Sequence, residues 1–585
     1  MSTYRSIVLR LARSRSGTFL RDALGVKRVR RVSALLLPGR MARPRLVPSL
    51  VALHARRLPV ADAGAARSGL GWVTTLSGWQ PQRLRDDNLA RTTEALARAG
   101  VSYVLLRTGS ATRHSIAVHE ADRSNTFTAL RRAPALRAAR IQQVEGTTAA
   151  GRAVPAPATL AASWSSARIL RVFRPVRFSP RTHVVGELYG CDIEFWREGK
   201  APGVAEVMAL GPRPNVAADV IPAGLLRDTE LISIGGKSHP RPRLFSQRML
   251  EDVTFDVDVV YTWVDGADPS WLRRMRAAQA RVAGFEIHRE SVSANRYTSR
   301  DELRYSLRSL QSYAPWVRHI WLVTDQQRPE WLRKDAPGIT LVDHRDIIAD
   351  PALLPLFNSN AIISRLHHID GLAEHYLYLN DDMFFGHDTT AGDFFHPSGI
   401  ARLFPAKLHR PFGRPTPDDE PHVNLSRNIR ALLEERFGTT ITRAIRHTPY
   451  PQLRSRQFEL EALFPEAYAD VLRHPFRHHE DVAADQLLHY YLQIVGAGVP
   501  SQITYDYVNV GVAEEQHRLR RLLHMRDRAV FCLNDAPVQG GTPIPDAAVR
   551  AFLDAYFPVS SDWETCAPGA NPLDRPATAT GRGAA

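Results

Sequence analysis

Two adjacent aspartates, Asp381 and Asp382, follow a short apolar run that has the composition of a buried strand. A carboxylate pair in such a place would be costly unless positive charge lies against it. A hard divalent cation that also binds a nucleotide diphosphate would supply this positive charge. Mg²⁺ takes one or two carboxylates and fills its other positions with phosphate oxygens and water. Because Asn-Asp-Asp is also common in caps and turns, the surrounding pattern has to decide.

Strands and helices alternate from residue 255 onward. Strands are predicted over 255–261, 317–324, 339–342 and 376–379, and helices over 300–313 and 361–373. This alternation predicts βαβ units and a mostly parallel sheet, in which ligands lie beyond the carboxyl ends of the strands. Five acids follow predicted strands: Asp265, Asp325, Asp343, Asp381 and Asp382. We therefore expect these acids to converge on one edge of the sheet, where they favour a metal site.

Other candidate groups lie outside the strand ends. Asp301 opens the helix predicted over 300–313, where an acid can also serve only as a cap. Arg477 can clamp a phosphate, and Glu480 or Asp481 could complete a metal shell. His447 is a candidate base, since histidine ordinarily titrates near neutrality, although a single histidine is more often structural.

Charge and cysteine content limit the class of protein. The formal charge is +16, and about a dozen Arg and Lys against one acid within residues 1–50 account for most of it. This leader could contact an anionic membrane surface or a polyanion, or be a solvated tail. The body shows no nucleic-acid module, so we expect no nucleic-acid partner. Three distant cysteines, without an apolar membrane-spanning run, favour a cytoplasmic protein, with peripheral membrane contact through the leader.

Four blocks together resemble the Stealth family of hexose-1-phosphoryltransferases, which includes bacterial capsule and exopolysaccharide phosphotransferases and the N-acetylglucosamine-1-phosphotransferase α/β subunit precursor. They are DVDVVYTWVDGADPSW (256–271), a long block over 300–332 and 357–386, RAIRHTPYPQLRS (443–455) and FRHHEDVAADQLLHYYLQ (476–493). Their order and spacing are those of the family's four regions. The resemblance implies a fold like the glycosyltransferases of type A.

The implied reaction moves a hexose-1-phosphate or N-acetylhexosamine-1-phosphate from a UDP-sugar to a glycan hydroxyl, with release of UMP, in capsule or exopolysaccharide synthesis. The resemblance puts Asp381 and Asp382 at a metal and pyrophosphate locus and makes His447 and Arg477 necessary for activity. We expect Mg²⁺ or Mn²⁺ as cofactor, with Asp481 as a further ligand. At Ser299 many relatives have Asp, so either Asp301 takes over that carboxylate role or the role is absent.

We expect donor binding by five residues: Trp263, Asp265, Arg304, Asn360 and Asn380. Whether Asp301 or His447 is the catalytic base stays open. An ordinary glycosyltransferase that releases UDP is an alternative on the same fold, and a polyanion-binding protein is an alternative of another class.

The domain organisation follows from the same patterns. We expect a partly disordered basic leader, an amino-terminal α+β domain, a nucleotide-sugar-binding α/β core, a helical part that completes the active site, and a disordered tail. Their bounds are 1–69, 70–250, 251–400, 401–560 and 561–585. Within the second of these, the Gly-, Pro- and Ala-rich segment 146–163 is interpreted as a linker or long loop.

Overall fold

The computed structural model describes residues 66–68, 71–75, 81–146, 148–156, 166–177, 184–200, 206–282, 299–536 and 541–565. Nearly all of the basic leader, with its membrane contact, and most of the predicted tail lie outside these residues. Among the helices described, none is both long and apolar enough to cross a membrane.

A five-stranded sheet, here called the central sheet, lies at the middle of the carboxy-terminal half. Its strands lie in the order Ile339–Asp343, Ile320–Thr324, Val257–Thr262, His375–Asn380 and Tyr450–Leu453. The first four are parallel, and the last runs antiparallel to its neighbour. The strands are rich in Val, Leu and Tyr, and most of these apolar and aromatic side chains are buried, as is usual for a parallel sheet covered on both faces. The mostly parallel sheet predicted from the sequence is confirmed.

The helix Glu302–Tyr313 packs on the central sheet through Leu303, Leu307 and Leu310, which recur at helical spacing. The helix predicted over 361–373 is broken into Ser359–Ile363 and a 3₁₀ turn. Two histidines of that turn bond the same carboxylate oxygen of Glu461, each at 2.8 Å. These tertiary contacts replace the regular helix that the sequence pattern predicts.

A second sheet begins directly after the acid pair. Its strand Met383–Phe385 pairs antiparallel with Val530–Asn534, which pairs parallel with Tyr505–Asn509. The hydroxyl of Ser309 accepts from the Phe385 amide at 3.0 Å, which ties this strand to the helix Glu302–Tyr313. Asp381 and Asp382 therefore lie where the chain passes from one sheet to the other.

Further elements complete the carboxy-terminal half. The remaining strands are Ala401–Leu403, Pro405–His409, Arg443–Ile445 and Gly498–Pro500. The remaining helices are Pro269–Arg281, His344–Ile347, Pro421–Phe437, Arg454–Leu463, Pro465–Arg473, Ala484–Ile494, Gln516–Met525 and Asp546–Tyr556. The described residues of the 401–560 part are rich in helices and also supply strands to both sheets.

The amino-terminal part combines strands and helices around its own buried cluster. Its strands are Ala66–Ser68, Gly71–Thr75, Val104–Leu106, His114–His119, Arg140–Glu145, Thr148–Pro155, Ile169–Phe173, Val176–Arg177, Cys191–Lys200, Val207–Leu210, Val220–Pro222, Thr229–Ile234 and Lys237–Pro242. Its helices are Pro81–Arg98, Arg123–Arg132 and Ala223–Arg227. The hydroxyl of Tyr189 donates to Asp388 at 2.7 Å, so this part packs against the carboxy-terminal half.

Two segments differ from the sequence prediction. The strand Thr148–Pro155 lies inside the segment 146–163 that was interpreted as a linker, because its backbone pairs with Arg140–Glu145. Residues 561–565 belong to the fold rather than to a disordered tail. The carboxylate of Glu564 accepts from Arg308 Nε at 2.7 Å and Nη2 at 2.8 Å, and this buried ion pair fixes the segment.

Candidate active site

A cavity of about 590 Å³ opens at the carboxyl ends of the parallel strands. Of the residues predicted to act in the site, seven line this cavity: Trp263, Asn360, Asn380, Asp381, Asp382, His447 and Arg477. The strand ends meet here because Thr262 pairs with Asn380 across neighbouring strands. Residues from five separated stretches of the chain thus converge on one space.

The acid pair is crowded by a third carboxylate. Burial, followed by the charges of Glu302 and Asp382, raises the pKa of Asp381 well above its ordinary value. Oδ1 of Asp382 is buried and has no hydrogen-bond partner among the described residues. Such uncompensated negative charge is costly in a folded protein. The carboxylates therefore fit a hard divalent cation, which prefers oxygen ligands.

A cysteine next to the acid pair does not change that preference. Cys532 Sγ donates to Asp382 Oδ2 at 3.4 Å. Burial and the charge of Asp382 raise the pKa of this thiol well above its ordinary value. Without an ion the thiol is therefore protonated, and the carboxylate oxygens beside it are the ligands that a hard divalent cation prefers.

The structure turns Glu302, not Asp301, toward the cavity. Asp301 has a backbone φ of +67°, does not line the cavity, and lies 3.7 Å from Arg550 at its carboxylate. Glu302 lines the cavity and is buried, and its burial raises its pKa against the opposing effect of Arg300. The carboxylate role predicted for Asp301 thus has a better-placed candidate one residue later.

His447 is held in a defined orientation. The Tyr378 hydroxyl donates to Asn380 Oδ1 at 2.7 Å, which leaves Asn380 Nδ2 to donate to His447 Nε2 at 3.2 Å. His447 Nδ1 lies 2.8 Å from the Tyr450 hydroxyl. This network makes Nε2 the nitrogen with the lone pair, and Nε2 lies 3.7 Å from Asp382 Oδ1. His447 is thereby oriented to accept a proton beside the acid pair.

Arg477 lies on the loop that precedes the helix Ala484–Ile494. Its Nη2 donates to the Ser359 hydroxyl at 2.7 Å, and both residues line the cavity. The planar guanidinium is thus anchored at one corner, an arrangement suited to oriented binding of phosphate oxygens.

Asp481 supports that loop instead of facing the cavity. Its Oδ1 is 2.8 Å from His474 Nδ1, and its Oδ2 accepts from Asn358 Nδ2 at 2.8 Å and the His478 amide at 2.9 Å. The carboxylate is buried and its oxygens are occupied by these donors. Asp481 is absent from the cavity lining and positions the loop of Arg477, so its metal role stays a prediction from the sequence.

Two predicted donor-binding residues are engaged elsewhere. Asp265 Oδ1 accepts from the Ala267 amide at 2.8 Å and closes a turn. Arg304 Nε donates to Glu564 at 2.5 Å, within the ion pair that holds residues 561–565. Neither residue lines the cavity, so their donor-binding roles stay predictions from the sequence.

The other strand-end acids differ from one another. Asp325 lines the cavity, where Arg274 Nη2 lies 2.8 Å from its Oδ2. Asp343 accepts from the Arg345 amide at 3.0 Å and forms a capping box at the helix His344–Ile347. The expected convergence of five acids is therefore limited to Asp325, Asp381 and Asp382.

Sequence reasoning missed several parts of the lining, among them Asp485 and the segment 533–536. Asp485 lies in the first turn of the helix Ala484–Ile494, and burial raises its pKa to about 6, against the charges of His447 and Arg477. Residues 533–536 also line the cavity, at the end of the strand Val530–Asn534 in the second sheet. Asp485 could have been noticed as an acid at the start of an apolar helix, whereas the segment 533–536 has no local signal.

Comparison with protein families finds three matches, all described as conserved regions of Stealth proteins. Region 1 matches residues 255–282, region 2 matches 296–403 and region 3 matches 446–493. The blocks 443–455 and 476–493, which were expected to represent two regions, fall mostly within the single match to region 3. The matched segments contain the acid pair, His447 and Arg477.

Curated relatives align along most of the chain. Exopolysaccharide phosphotransferase SCO6023 of Streptomyces coelicolor is 43% identical, over 83% of this chain and 83% of the relative. SCO2592 of the same organism is 39% identical over 90% of this chain, which spans only 56% of that relative. Exopolysaccharide phosphotransferase CpsY of Mycobacterium tuberculosis is 33% identical, over 84% of this chain and 90% of the relative.

A solved structure with a distant similarity is galactosyltransferase LgtC in complex with donor and acceptor sugar analogues. It is 12% identical, covers 47% of this chain and 86% of its own, and has a TM-score of 0.24.

Proposed function

Since this chain belongs to the Stealth family, we propose that it transfers a sugar-1-phosphate from a UDP-sugar to a hydroxyl of a glycan and releases UMP. The observation that carries the proposal is the shared cavity, in which an acid pair, an oriented histidine and an anchored arginine lie together. Exopolysaccharide is the product class named for the relatives, and we extend it to this chain.

The proposed reaction is a substitution at phosphorus. The acceptor oxygen attacks the β-phosphorus of the UDP-sugar, the bond from that phosphorus to the bridging oxygen breaks, and UMP leaves. The proton of the acceptor hydroxyl passes to the lone pair of His447 Nε2, where the acceptor hydroxyl replaces the hydrogen bond from Asn380 Nδ2 while Nδ1 keeps its bond to the Tyr450 hydroxyl. Arg477 stabilises the charge on the non-bridging oxygens of the transferred phosphate.

We further propose that Asp381 and Asp382 hold Mg²⁺ or Mn²⁺, with Glu302 close by. The buried, unpartnered Oδ1 of Asp382 and the raised pKa of Asp381 support this assignment. When bound, the ion would neutralise charge on the pyrophosphate and the departing UMP. Trp263 and Asn360, which line the same cavity, are our candidates for donor contacts.

The test is product analysis with purified protein, Mg²⁺, a panel of UDP-hexoses and UDP-N-acetylhexosamines, and oligosaccharide acceptors. Mass spectrometry should show a phosphodiester-linked sugar together with UMP, and Asp382→Asn should give neither. Release of UDP with a glycoside product would instead identify an ordinary glycosyltransferase. Turnover of no UDP-sugar in the panel would overturn the proposal.

A further inference from the structure

Two further side chains of the cavity lining each have a polar atom without a hydrogen-bond partner among the described residues. Asp485 Oδ1 and Arg410 Nε are buried and have no hydrogen-bond partner within the part of the chain that the structure describes. Gln486, which follows Asp485 on the helix Ala484–Ile494, accepts from Arg410 Nη2 at 3.3 Å. All three line the cavity. Leaving a buried donor and a buried acceptor unpaired is costly, so a ligand that pairs with both would recover that cost.

The position of Asp485 relates this group to the reacting phosphate. Its side chain is 95% buried, with a relative exposure of 5%. The charges of His447 and Arg477 both act on its carboxylate, and backbone amides of Asp485 and Gln486 hydrogen-bond to it at the start of the helix. Asp485 therefore lies close to the residues that we assign to the phosphate.

The chemistry of the group matches a sugar ring. A sugar hydroxyl both donates and accepts, so it can donate to Asp485 Oδ1 while a neighbouring hydroxyl accepts from Arg410 Nε. A phosphate would be repelled by the carboxylate, and an apolar group would leave both atoms unpaired. A polymeric acceptor has to extend out through the mouth of the cavity. The sugar attached to the donor phosphate is small enough to be enclosed.

We propose that Asp485, together with Arg410 and Gln486, binds hydroxyl groups of the transferred sugar and so selects which UDP-sugar is used. This inference rests on the proposed function, because it assumes that a UDP-sugar occupies the cavity. It adds the residues that recognise the sugar, as distinct from those that bind the nucleotide or the metal.

The test compares UDP-sugars with UDP, which has the nucleotide and both phosphates but lacks the sugar. Binding of UDP-glucose, UDP-galactose, UDP-N-acetylglucosamine and UDP is measured by isothermal titration calorimetry in the presence of Mg²⁺. Asp485→Asn should weaken binding of the preferred UDP-sugar on the order of 10-fold, since a hydrogen bond to a charged acceptor becomes one to a neutral acceptor. Its affinity for UDP should change by less than about 3-fold.

Matched variants keep the result interpretable. Asp470→Asn makes the same chemical change at an exposed carboxylate on the helix Pro465–Arg473 and should leave both affinities unchanged. If Asp485→Asn does not fold, Arg410→Lys keeps the charge, removes Nε and should show the same selective loss.

Three outcomes would overturn the inference. Equal weakening of UDP and the UDP-sugar would place Asp485 at the nucleotide or in folding, and unchanged binding of both would show that it has no role in recognition. Failure of the wild-type protein to bind any UDP-sugar would overturn the proposed function as well, which separates that failure from the first two.

Discussion

Replacing Arg477 by lysine tests whether an oriented guanidinium, and not only its charge, serves the reaction. Arg477 Nη2 is anchored by the Ser359 hydroxyl at 2.7 Å, so its plane is fixed before substrate binds. Lysine keeps the positive charge but loses the planar fork and the anchor. Loss of one preorganised donor to a transition-state oxygen typically lowers kcat by about 10²- to 10³-fold. We expect a fall on the order of 10²-fold for Arg477→Lys.

Ser359→Ala separates orientation from charge. It removes only the anchor, a neutral hydroxyl that contributes roughly 0.5–1.5 kcal/mol, or about 2- to 10-fold in rate. Because the hydroxyl acts through Arg477, the double variant should be no slower than Arg477→Lys alone. The assay is the initial rate of UMP release at saturating UDP-sugar, with the thermal unfolding midpoint of each variant as the check on folding.

The reasoning would be refuted by a folded Arg477→Lys protein with kcat within about 2-fold of wild type. Full additivity of the two substitutions would refute the narrower claim, since Ser359 would then act independently of Arg477.

Three further predictions follow from the site and its supports. Excess EDTA should abolish turnover and added Mg²⁺ or Mn²⁺ should restore it, and full activity in EDTA would exclude the metal. Glu302→Gln should lower kcat by about 10²-fold or more, whereas Asp301→Asn, at a residue outside the cavity, should lower kcat by less than about 3-fold. If the UMP assay shows the larger loss for Asp301→Asn, Asp301 is the active carboxylate instead. Glu564→Gln should lower the free energy of unfolding by about 3–5 kcal/mol in chemical denaturation, because it leaves the buried Arg308 without its charged partner. Burial alone would raise the pKa of Glu564, but hydrogen bonding and charge from Arg308, together with Arg304, lower it. The stabilisation by Glu564 is therefore present above the usual glutamate pKa of about 4.3 and is lost as the pH falls further. The difference in free energy of unfolding between wild type and Glu564→Gln should accordingly shrink to zero in acid. A difference that stays constant with pH would contradict the ion-pair account.

The parts of the fold that could be predicted are those with local signals. Apolar runs such as Val257–Thr262 and His375–Asn380 alternate with amphipathic helices, and this pattern is sufficient for a parallel sheet. The position of Asp381 and Asp382 beyond a strand end then follows from topology alone. The location of these two aspartates in the cavity could therefore be predicted from the sequence.

Which of two neighbouring acids faces the cavity could not be predicted from the sequence. Asp301 and Glu302 are adjacent at the start of one helix, where Asp301 caps the helix with a φ of +67° and only Glu302 lines the cavity. At Asp343, a capping box at the following helix uses the carboxylate. Composition and spacing are the same whether an acid caps a helix or faces a ligand.

Long-range contacts account for the remaining differences. Asp485 is one acid in an otherwise ordinary helix start, and its role follows only when that helix packs against the cavity. Arg304 was predicted to bind the donor, but in the structure it pairs with Glu564, which lies 260 residues further along the chain. No window of sequence contains both partners of such a contact.

The junction between the two sheets has a consequence for synthesis on the ribosome. The strand Met383–Phe385 finds its partner in Val530–Asn534, so Asp382 and Cys532 meet across 150 residues of chain. At translation rates of about 5–20 residues per second, roughly 7–30 s pass between the emergence of the two segments. During that interval the nascent chain presents an unpaired strand edge, which favours intermolecular pairing. A chain released before residue 530 would lack the partner strand and the lining at 533–536, so we expect prematurely terminated protein to lack the proposed transfer activity.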